Sequence, residues 1–250
     1  MNHKIVVLTI LIVFTIVIIL SCCSKENPMI PRKYTEIDVP YLPIMISLPR
    51  HSKRREYVSQ QGIKYEVLPT VVDATTLSNP TSVLSTRAFY DYHRKRNDHR
   101  TIASIGAIGC YMSHENAWKL VIERDSPQFI IEDDITISRN DWQKLASEWI
   151  NQGNQSIPWL FFIGHASVKS VSYGTHAYIL NPAAARELLA HARPIEIQVD
   201  MYMHSLFYQH NWKIEFATPT AFKQVETSHG DFKSTTQQNT LSLPPNKYLF

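Results

Sequence analysis

Three consecutive acids follow a short apolar run, and their chemistry suits the binding of a cation. Glu132, Asp133 and Asp134 come directly after Phe129-Ile130-Ile131, a run that is typical of a buried strand. Ligands of open α/β sheets bind beyond the carboxyl ends of the strands, and neighbouring carboxylates repel one another unless a cation lies between them. Hard divalent cations prefer oxygen ligands and are often shared with substrate phosphates. The stretch therefore predicts a strand-end Mn²⁺ or Mg²⁺ site for a phosphorylated substrate, with an acidic surface turn as the alternative.

A basic segment follows the first predicted strand, Ile44 to Leu48. It contains Arg50 and Arg55 within the sequence Pro-Arg-His-Ser-Lys-Arg-Arg, and Ser52 is expected to cap a helix that reaches about Gln60. Guanidinium groups bind phosphate oxygens in a bidentate way, so this strand-to-helix turn suits a diphosphate. The alternative is a solvated basic face of the helix.

Two further segments carry candidate binding residues. Asp73 ends a second predicted strand, Lys64 to Val72, where an acid can accept a hydrogen bond from a ribose or a base. Ser113 and His114 lie on a predicted helix from Ile105 to Glu123. The small residues at the start of that helix allow a close approach to another backbone or to a ligand.

The remaining pattern places strands and helices in alternation. The sequence predicts an irregular loop over Ser78 to Arg100, a helix from Asn140 (its N-cap) to Ile150, a strand over Trp159 to Ile163 closed by Gly164, a strand over His176 to Leu180, a helix opened by Asn181-Pro182, a helix over Met201 to Gln209 and a strand over Lys213 to Ala217. This alternation predicts an α/β domain with a mostly parallel or mixed sheet flanked by helices.

The N-terminal segment, residues 1–23, contains an apolar run from Ile5 to Leu20. Together with residues 21–23 it reaches the ~20 residues that span a bilayer. We expect an uncleaved signal anchor with the following domain on the non-cytosolic side of a membrane; a cleaved secretory signal and a lipoprotein signal ending at Cys22 are the alternatives. Residues 24–42, which are polar and proline-containing, predict a linker. Residues 43–232 are expected to form the domain, and residues 233–250 a disordered or loosely packed tail.

Composition excludes some classes. The formal charge of +3 comes without the basic-aromatic platform of single-strand binders, so no nucleic-acid partner is expected. Cys110 is the single cysteine after the linker, so the domain holds no internal disulfide.

Several of these motifs together resemble glycosyltransferase family 25, which includes lipooligosaccharide and collagen galactosyltransferases. The resemblance runs from about Ile44 to Ser228 and rests on motifs in the family's order. These are Ile46-Ser47-Leu48-Pro49-Arg50 with Arg54-Arg55, Val72-Asp73-Ala74, Gly109-Cys110-Tyr111-Met112-Ser113-His114 with Ala117-Trp118, Ile131-Glu132-Asp133-Asp134-Ile135, Gly174-Thr175-His176-Ala177-Tyr178-Ile179, and Val199-Asp200.

The resemblance implies a GT-A-type nucleotide-sugar-binding fold and transfer of a hexose, with UDP-galactose as the usual donor, to a hydroxyl of a glycan or glycoconjugate. It places Glu132 and Asp134 at the metal, Mn²⁺ or Mg²⁺, and Asp133 and His176 toward the donor. Arg50 and Arg55 would contact the diphosphate, and Asp73 the nucleoside. Ser113 and His114 would line the donor pocket or, alternatively, brace their helix against the sheet.

The family is thought to invert the anomeric centre, and inversion needs a base for the acceptor hydroxyl. Asp200 is the candidate, with a helix N-cap as its alternative role. Other readings of the strand-end acids are a metal-dependent phosphohydrolase and a degenerate sugar-binding module. The chain departs from the family pattern at Ala107, where Glu is common, at Ser47, where Asn is usual, and at His229, where an acid is common.

Overall fold

The computed structural model describes residues 43–64, 70–73, 75, 81–93, 101–102, 104–168 and 171–225. The chain divides into the units Met1–Asp38 and Val39–Phe250, and the first unit lies outside the described residues. So do the predicted anchor, the linker, the tail and His229. Within the described ranges, no helix combines the length and apolar character that a membrane crossing requires.

Strands and helices alternate through the described residues. The strands are β1 (Ile44–Ser47), β2 (Thr70–Asp73), β3 (Gln128–Glu132), β4 (Ile135–Ile137), β5 (Trp159–Val168), β6 (Val171–Leu180), β7 (Lys213–Phe216) and β8 (Phe222–Gln224). The α-helices are α1 (Ser52–Lys64), α2 (Thr86–His93), α3 (Ile105–Arg124), α4 (Trp142–Gln152), α5 (Pro182–His191) and α6 (Val199–Gln209), and a short 3-10 helix covers Thr81–Val83.

The strands form one mixed sheet in the order β2-β1-β3-β6-β5-β8-β4, and β7 pairs with β5 outside this path. β1 runs parallel to β2 and β3, so the carboxyl ends of these strands meet at one edge, with Ser47 opposite Asp73 and Ile46 opposite Glu132. β6 is antiparallel to β3, with Ala177 opposite Ile131. The first half of β6 therefore approaches the same edge, where the acids lie.

Successive side chains of the central strands point alternately to the two faces of the sheet, and this divides the core into two layers. Ile130 of β3 packs with α3, α5 and α6 on one face of the sheet, whereas Phe129 and Ile131 pack with α4 and Val58 of α1 on the other. Strands covered on both faces read as continuous apolar runs. The predicted α/β architecture, a mixed sheet flanked by helices, is thus confirmed.

Two predictions about helices are wrong. Residues predicted as an irregular loop contain α2, because Ser85 Oγ accepts a hydrogen bond from Ala88 N at 3.2 Å and the buried side chains of Ala88 and Tyr92 anchor the helix. The helix predicted to start at Asn140 begins at Trp142. Its N-cap is Asp141, whose carboxylate is held by Arg139 at 2.6 and 2.8 Å instead of capping.

Strand boundaries differ as well. Lys64 belongs to α1 and β2 begins at Thr70, with residues 65–69 outside the described ranges. β5 continues through Gly164 to Val168, because register shifts on both sides of Gly164 accommodate the strand against β6. The sequence predicts neither β4 nor β8, since strands of three residues are too short to show a hydrophobic period.

The predicted close approach at the start of α3 is made to backbone. A Cβ atom built on Gly109 would lie 2.6 Å from the carbonyl oxygen of Thr75. One turn later, Ser113 Oγ accepts a hydrogen bond from Thr75 N at 2.8 Å and donates one to Gly109 O at 2.6 Å. Ser113 thus performs the bracing role, tying α3 to the chain just after β2.

Substituting Gly109→Ala should destabilise the domain. The added methyl meets a backbone atom that cannot rotate away, and such overpacking costs about 1–3 kcal/mol. This exceeds the gain of up to about 1 kcal/mol from the better helix propensity of alanine. Urea unfolding of the two proteins measures the difference, and an unchanged or higher midpoint for Gly109→Ala would contradict the close contact.

Candidate functional site

The middle acid of the triple, Asp133, is held by the end of β1 and the first turn of α1. Its Oδ2 accepts a hydrogen bond from Ser47 Oγ at 2.7 Å and lies 3.1 Å from His51 Nδ1. Its Oδ1 accepts a bond from Arg54 Nη1 at 3.0 Å. Burial lowers the pKa of His51 although Asp133 favours its charged form, so Arg54 is the cation that balances Asp133 near neutral pH.

The Arg54 side chain is 4% exposed and the Asp133 side chain 9%. Breaking a buried ion pair by removing one partner typically costs about 3–5 kcal/mol, because the other charge is left without a partner. Asp133 was predicted to lie toward the donor, and the structure places its carboxylate against β1 and α1.

Arg55 contacts the predicted site residue Asp73 and also Ser47. Its Nη2 donates to Asp73 Oδ1 at 2.8 Å and to the carbonyl of Ser47 at 3.1 Å, and its Nε donates to Ser47 Oγ at 3.0 Å. Asp73 is largely exposed, and Arg50 is exposed at the turn after β1. The basic turn therefore presents one anchored guanidinium and one exposed guanidinium at the edge where β1, β2 and β3 end.

The first acid, Glu132, is fixed through one oxygen. Oε1 accepts a hydrogen bond from Thr175 Oγ1 at 2.6 Å and lies 3.5 Å from His114 Nε2. Burial raises the pKa of Glu132, but the interactions with His114 and Thr175 outweigh it, and the pKa lies below its usual value. Within the described residues Oε2 has no hydrogen-bond partner, so this ionised carboxylate keeps one oxygen for a ligand.

The last acid, Asp134, also uses one oxygen. Oδ2 accepts a hydrogen bond from Gln224 Nε2 of β8 at 3.0 Å, while Oδ1 is buried and has no partner in the described part of the chain. Burial and the nearby charge of Glu132 raise the pKa of Asp134 to about 7. A buried carboxyl oxygen without a partner, beside an ionised glutamate, fits a bound cation.

The two acids predicted as metal ligands thus each retain an oxygen, which is the donor type that Mn²⁺ and Mg²⁺ prefer. Another set of potential ligand atoms lies closer together: those of Cys110, His114 and Glu132 are within 4.8 Å of one another. Burial raises the pKa of Cys110 well above its usual value, and a protonated thiol is a poor ligand. The residues present therefore fit a hard cation at Glu132 and Asp134 better than a softer one at Cys110.

Asp200 lies in the first turn of α6, and Gln198 is the N-cap. Asp200 Oδ2 accepts a hydrogen bond from Gly174 N at 3.1 Å, and Oδ1 accepts one from Met201 N at 2.7 Å. Gly174 has a φ of +90° and immediately precedes Thr175, which contacts Glu132. Asp200 is therefore anchored to β6, the strand whose Thr175 contacts Glu132.

His176 is buried one residue further along β6. Burial lowers its pKa, although the charge of Glu132 opposes this. Its Nε2 has no hydrogen-bond partner among the described residues. The structure thus brings Glu132, His114, His176 and Asp200 to β6, Asp133 to the basic turn, and Ser113 to the chain after β2.

The partners of the acids were largely missed from the sequence. The sequence marks Ser47 only as a departure from the family pattern and does not indicate its contacts with Arg55 and Asp133. Thr175 and Tyr178 lie within a motif quoted for the family, but no local pattern shows what they contact. Gln224 lies on β8, one of the two strands that the sequence does not predict, so no sequence pattern indicates its role.

The departure at Ala107 lies at the start of α3. Ala107 is the third helical residue, and its N–H donates to Oγ of the cap residue Ser104 at 3.0 Å. A glutamate at this position is the partner residue of a capping box and interacts favourably with the helix N-terminus. A glutamate here would therefore have a helix-stabilising role apart from any contact with substrate.

Comparison with known families shows which family the chain resembles. Residues 42–157 match the model of Glycosyltransferase family 25 (LPS biosynthesis protein). This region contains the basic turn, the start of α3 and the three acids. The predicted resemblance to glycosyltransferase family 25 is confirmed.

Individual relatives are similar over about two thirds of the chain. A probable inactive glycosyltransferase 25 family member 3 of Bos taurus is 28% identical over 189 residues, covering 66% of this chain and 31% of the relative. Procollagen galactosyltransferase 2 of Homo sapiens is 24% identical over 219 residues, covering 73% and 34%. The chain spans about a third of the length of these curated relatives.

Among solved structures, a glycosyltransferase involved in the glycosylation of the major capsid of PBCV-1 superimposes with a TM-score of 0.39 and 10% identity. The match covers 73% of this chain and 94% of that one.

The raised pKa of Asp134 predicts a pH-dependent stability in the absence of divalent cations. The folded protein keeps a proton on Asp134 up to about pH 7, whereas an unfolded chain loses it near pH 4. Asp134 therefore stabilises the fold at low pH, and this contribution is lost as the pH rises from about 4 through 7. The slope approaches about 1.4 kcal/mol per pH unit where the two states differ by one proton.

Urea unfolding from pH 5 to pH 8 in EDTA, with Asp134→Asn as the matched variant, measures this effect. The variant should gain stability relative to the wild type as the pH rises, because it carries no titrating group at this position. Parallel stability curves for the two proteins would show that Asp134 ionises in the folded state at its ordinary pKa.

Proposed function

We propose that the chain is a nucleotide-sugar-dependent hexosyltransferase that transfers galactose from UDP-galactose to a hydroxyl of a glycan or glycoconjugate, with inversion. The observation that supports it most lies at one edge of the sheet. There, Glu132 and Asp134 each keep one carboxylate oxygen without a hydrogen-bond partner among the described residues, and a basic turn lies at the same edge. Procollagen galactosyltransferase among the relatives supports galactose as the sugar.

The roles of the residues follow from their surroundings. Glu132 and Asp134 would hold Mn²⁺ or Mg²⁺, which would supply positive charge to the departing diphosphate. Arg50, exposed at the turn, and Arg55, aligned by Ser47, bind phosphate oxygens. Asp73 accepts a hydrogen bond from the nucleoside, and Asp133 keeps the basic turn against the acids through Arg54.

Asp200 removes the proton of the acceptor hydroxyl as that oxygen attacks the sugar. Both carboxylate oxygens already accept a backbone hydrogen bond, which fixes the orientation of the carboxylate and leaves lone pairs on each oxygen. His176, buried beside Glu132, faces the donor. An N-terminal signal anchor would hold this domain at a membrane, on its non-cytosolic side.

A second candidate is a sugar-binding module without catalysis. Relatives with 26–28% identity are named inactive or probable inactive family members. The relatives therefore include proteins named as inactive as well as proteins named as galactosyltransferases. A third candidate, a metal-dependent phosphohydrolase, would use the same acids with water in place of the acceptor.

UDP release from UDP-galactose and UDP-glucose, with and without Mn²⁺ and with galactoside or hydroxylysine acceptors, separates the three candidates. The transferase predicts release that needs both Mn²⁺ and an acceptor. Asp134→Ala should reduce it on the order of 100-fold or more, since metal charge stabilisation is worth several kcal/mol, with an unchanged circular dichroism spectrum. Release independent of any acceptor would favour the hydrolase, and sugar binding without release would favour the module.

Asp200→Asn tests the proposed base. The variant should lose transfer by about 10²–10⁴-fold, the usual contribution of a general base, and still bind UDP with the wild-type affinity. Because the amide must turn its NH₂ group toward one backbone N–H, a stability loss of about 1 kcal/mol is also expected. Titration calorimetry with UDP separates the two effects, and transfer at the wild-type rate would place the base elsewhere.

A further inference from the structure

His114 is completely buried on α3, and both of its ring nitrogens face polar atoms. Nδ1 lies 2.8 Å from the hydroxyl of Tyr178 on β6, and Nε2 lies 3.5 Å from Oε1 of Glu132. Trp118, one turn further along α3, donates its indole N–H to the same Tyr178 hydroxyl at 3.0 Å. A chain of contacts therefore runs from Trp118 through Tyr178 and His114 to Glu132.

The direction of the hydrogen bonds in this chain follows from the groups available. An indole N–H can only donate, so the Tyr178 oxygen accepts from Trp118. Its own proton then needs an acceptor, and among the described residues the nearby candidate is Nδ1 of His114. If Nδ1 accepts, the proton of a neutral imidazole must be on Nε2.

The other end of the ring leads to the same conclusion. Nε2 lies 3.5 Å from Oε1 of Glu132, an oxygen that carries lone pairs. A lone pair on Nε2 would repel that oxygen, whereas an N–H group is attracted to it. In the opposite tautomer, with the proton on Nδ1, the Tyr178 hydroxyl would have no acceptor among the described residues. A lone pair on Nε2 would then also face a lone pair on Oε1 of Glu132.

We propose that Trp118 and Tyr178 fix His114 as the Nε2–H tautomer, and that His114 acts as a positioning residue that orients Glu132 and does not bind a metal. The potential ligand atoms of Cys110, His114 and Glu132, which lie within 4.8 Å of one another, are therefore not assigned to a metal site. Thr175 donates a hydrogen bond to Oε1 at 2.6 Å. The Nε2–H group of His114 has no hydrogen-bond partner among the described residues and faces the same oxygen at the longer distance of 3.5 Å, which leaves Oε2 for a ligand. The functional consequence rests on the function proposed above, but the tautomer does not.

The tautomer is measured directly by long-range ¹H–¹⁵N NMR of the full chain labelled at histidine. The His114 signals are assigned by their loss in His114→Gln or their displacement in Tyr178→Phe. The expected spectrum shows a protonated Nε2 that Zn²⁺ and Mg²⁺ leave unchanged. A protonated Nδ1, or a shift of Nε2 when Zn²⁺ is added, would overturn the proposal.

Two matched variants test the positioning role. Glutamine places its amide nitrogen where His Nε2 lies and can still donate to Glu132, whereas asparagine places its amide near Nδ1 and reaches Tyr178 only. Mn²⁺ affinity, followed by titration calorimetry with UDP present, should stay within about threefold of wild type in His114→Gln. It should fall about 10- to 100-fold in His114→Asn, the usual effect of removing a residue that orients a metal ligand.

Equal losses of affinity in both variants would assign His114 a merely structural role or a ligand role and would overturn the proposal. If the wild type binds no Mn²⁺, the proposed function loses its metal. The NMR measurement on the wild type then still decides whether His114 is the Nε2–H tautomer. If neither variant folds, the NMR spectra of the wild type and of Tyr178→Phe decide the same question.

Discussion

The buried pair of Arg54 and Asp133 is the interaction on which the acidic edge depends. Three adjacent carboxylates at the end of β3 would repel one another, and a cation from α1 balances the middle one inside the protein. The same carboxylate binds Ser47 and so closes the end of β1 against the end of β3. A buried pair of this kind contributes less to stability than to geometry, because desolvation offsets most of the attraction.

Arg54 balances the charge of Asp133, and the two flanking acids, Glu132 and Asp134, differ in the direction of their pKa shifts. Glu132 is still in the strand and points to the face of α3, where His114 and Thr175 keep it ionised. Asp134 lies in the turn after the strand and faces β8, where burial and the charge of Glu132 favour its protonated form. Two carboxyls with opposite pKa shifts often mark a functional site, and the difference arises here from which elements surround each one.

Local features of the fold could be predicted from the sequence. The apolar runs of β3 and β5, the cap at Asn181, whose Oδ1 accepts from Ala184 N at 2.9 Å, and the helical spacing of α3 are all short-range patterns. The three acids were also recognisable as the end of a strand, since Glu132 closes β3. The contacts of these acids were not, because Asp133 and Arg54 are 79 residues apart and His114 and Tyr178 are 64 residues apart. Such pairs depend on the order of strands in the sheet, which no single segment specifies.

The division of the site between the two halves of the chain has a further consequence. Residues 42–157, the region that matches the family model, supply every acid of the triple and the basic turn. Thr175, Tyr178, Asp200 and Gln224, which orient or accompany those acids, all lie after it. Two relatives can therefore share the whole acidic motif and yet differ in whether its carboxylates are aligned. In this chain, a substitution in β6 or β8 alone can change the orientation of a carboxylate while the acidic motif itself stays intact.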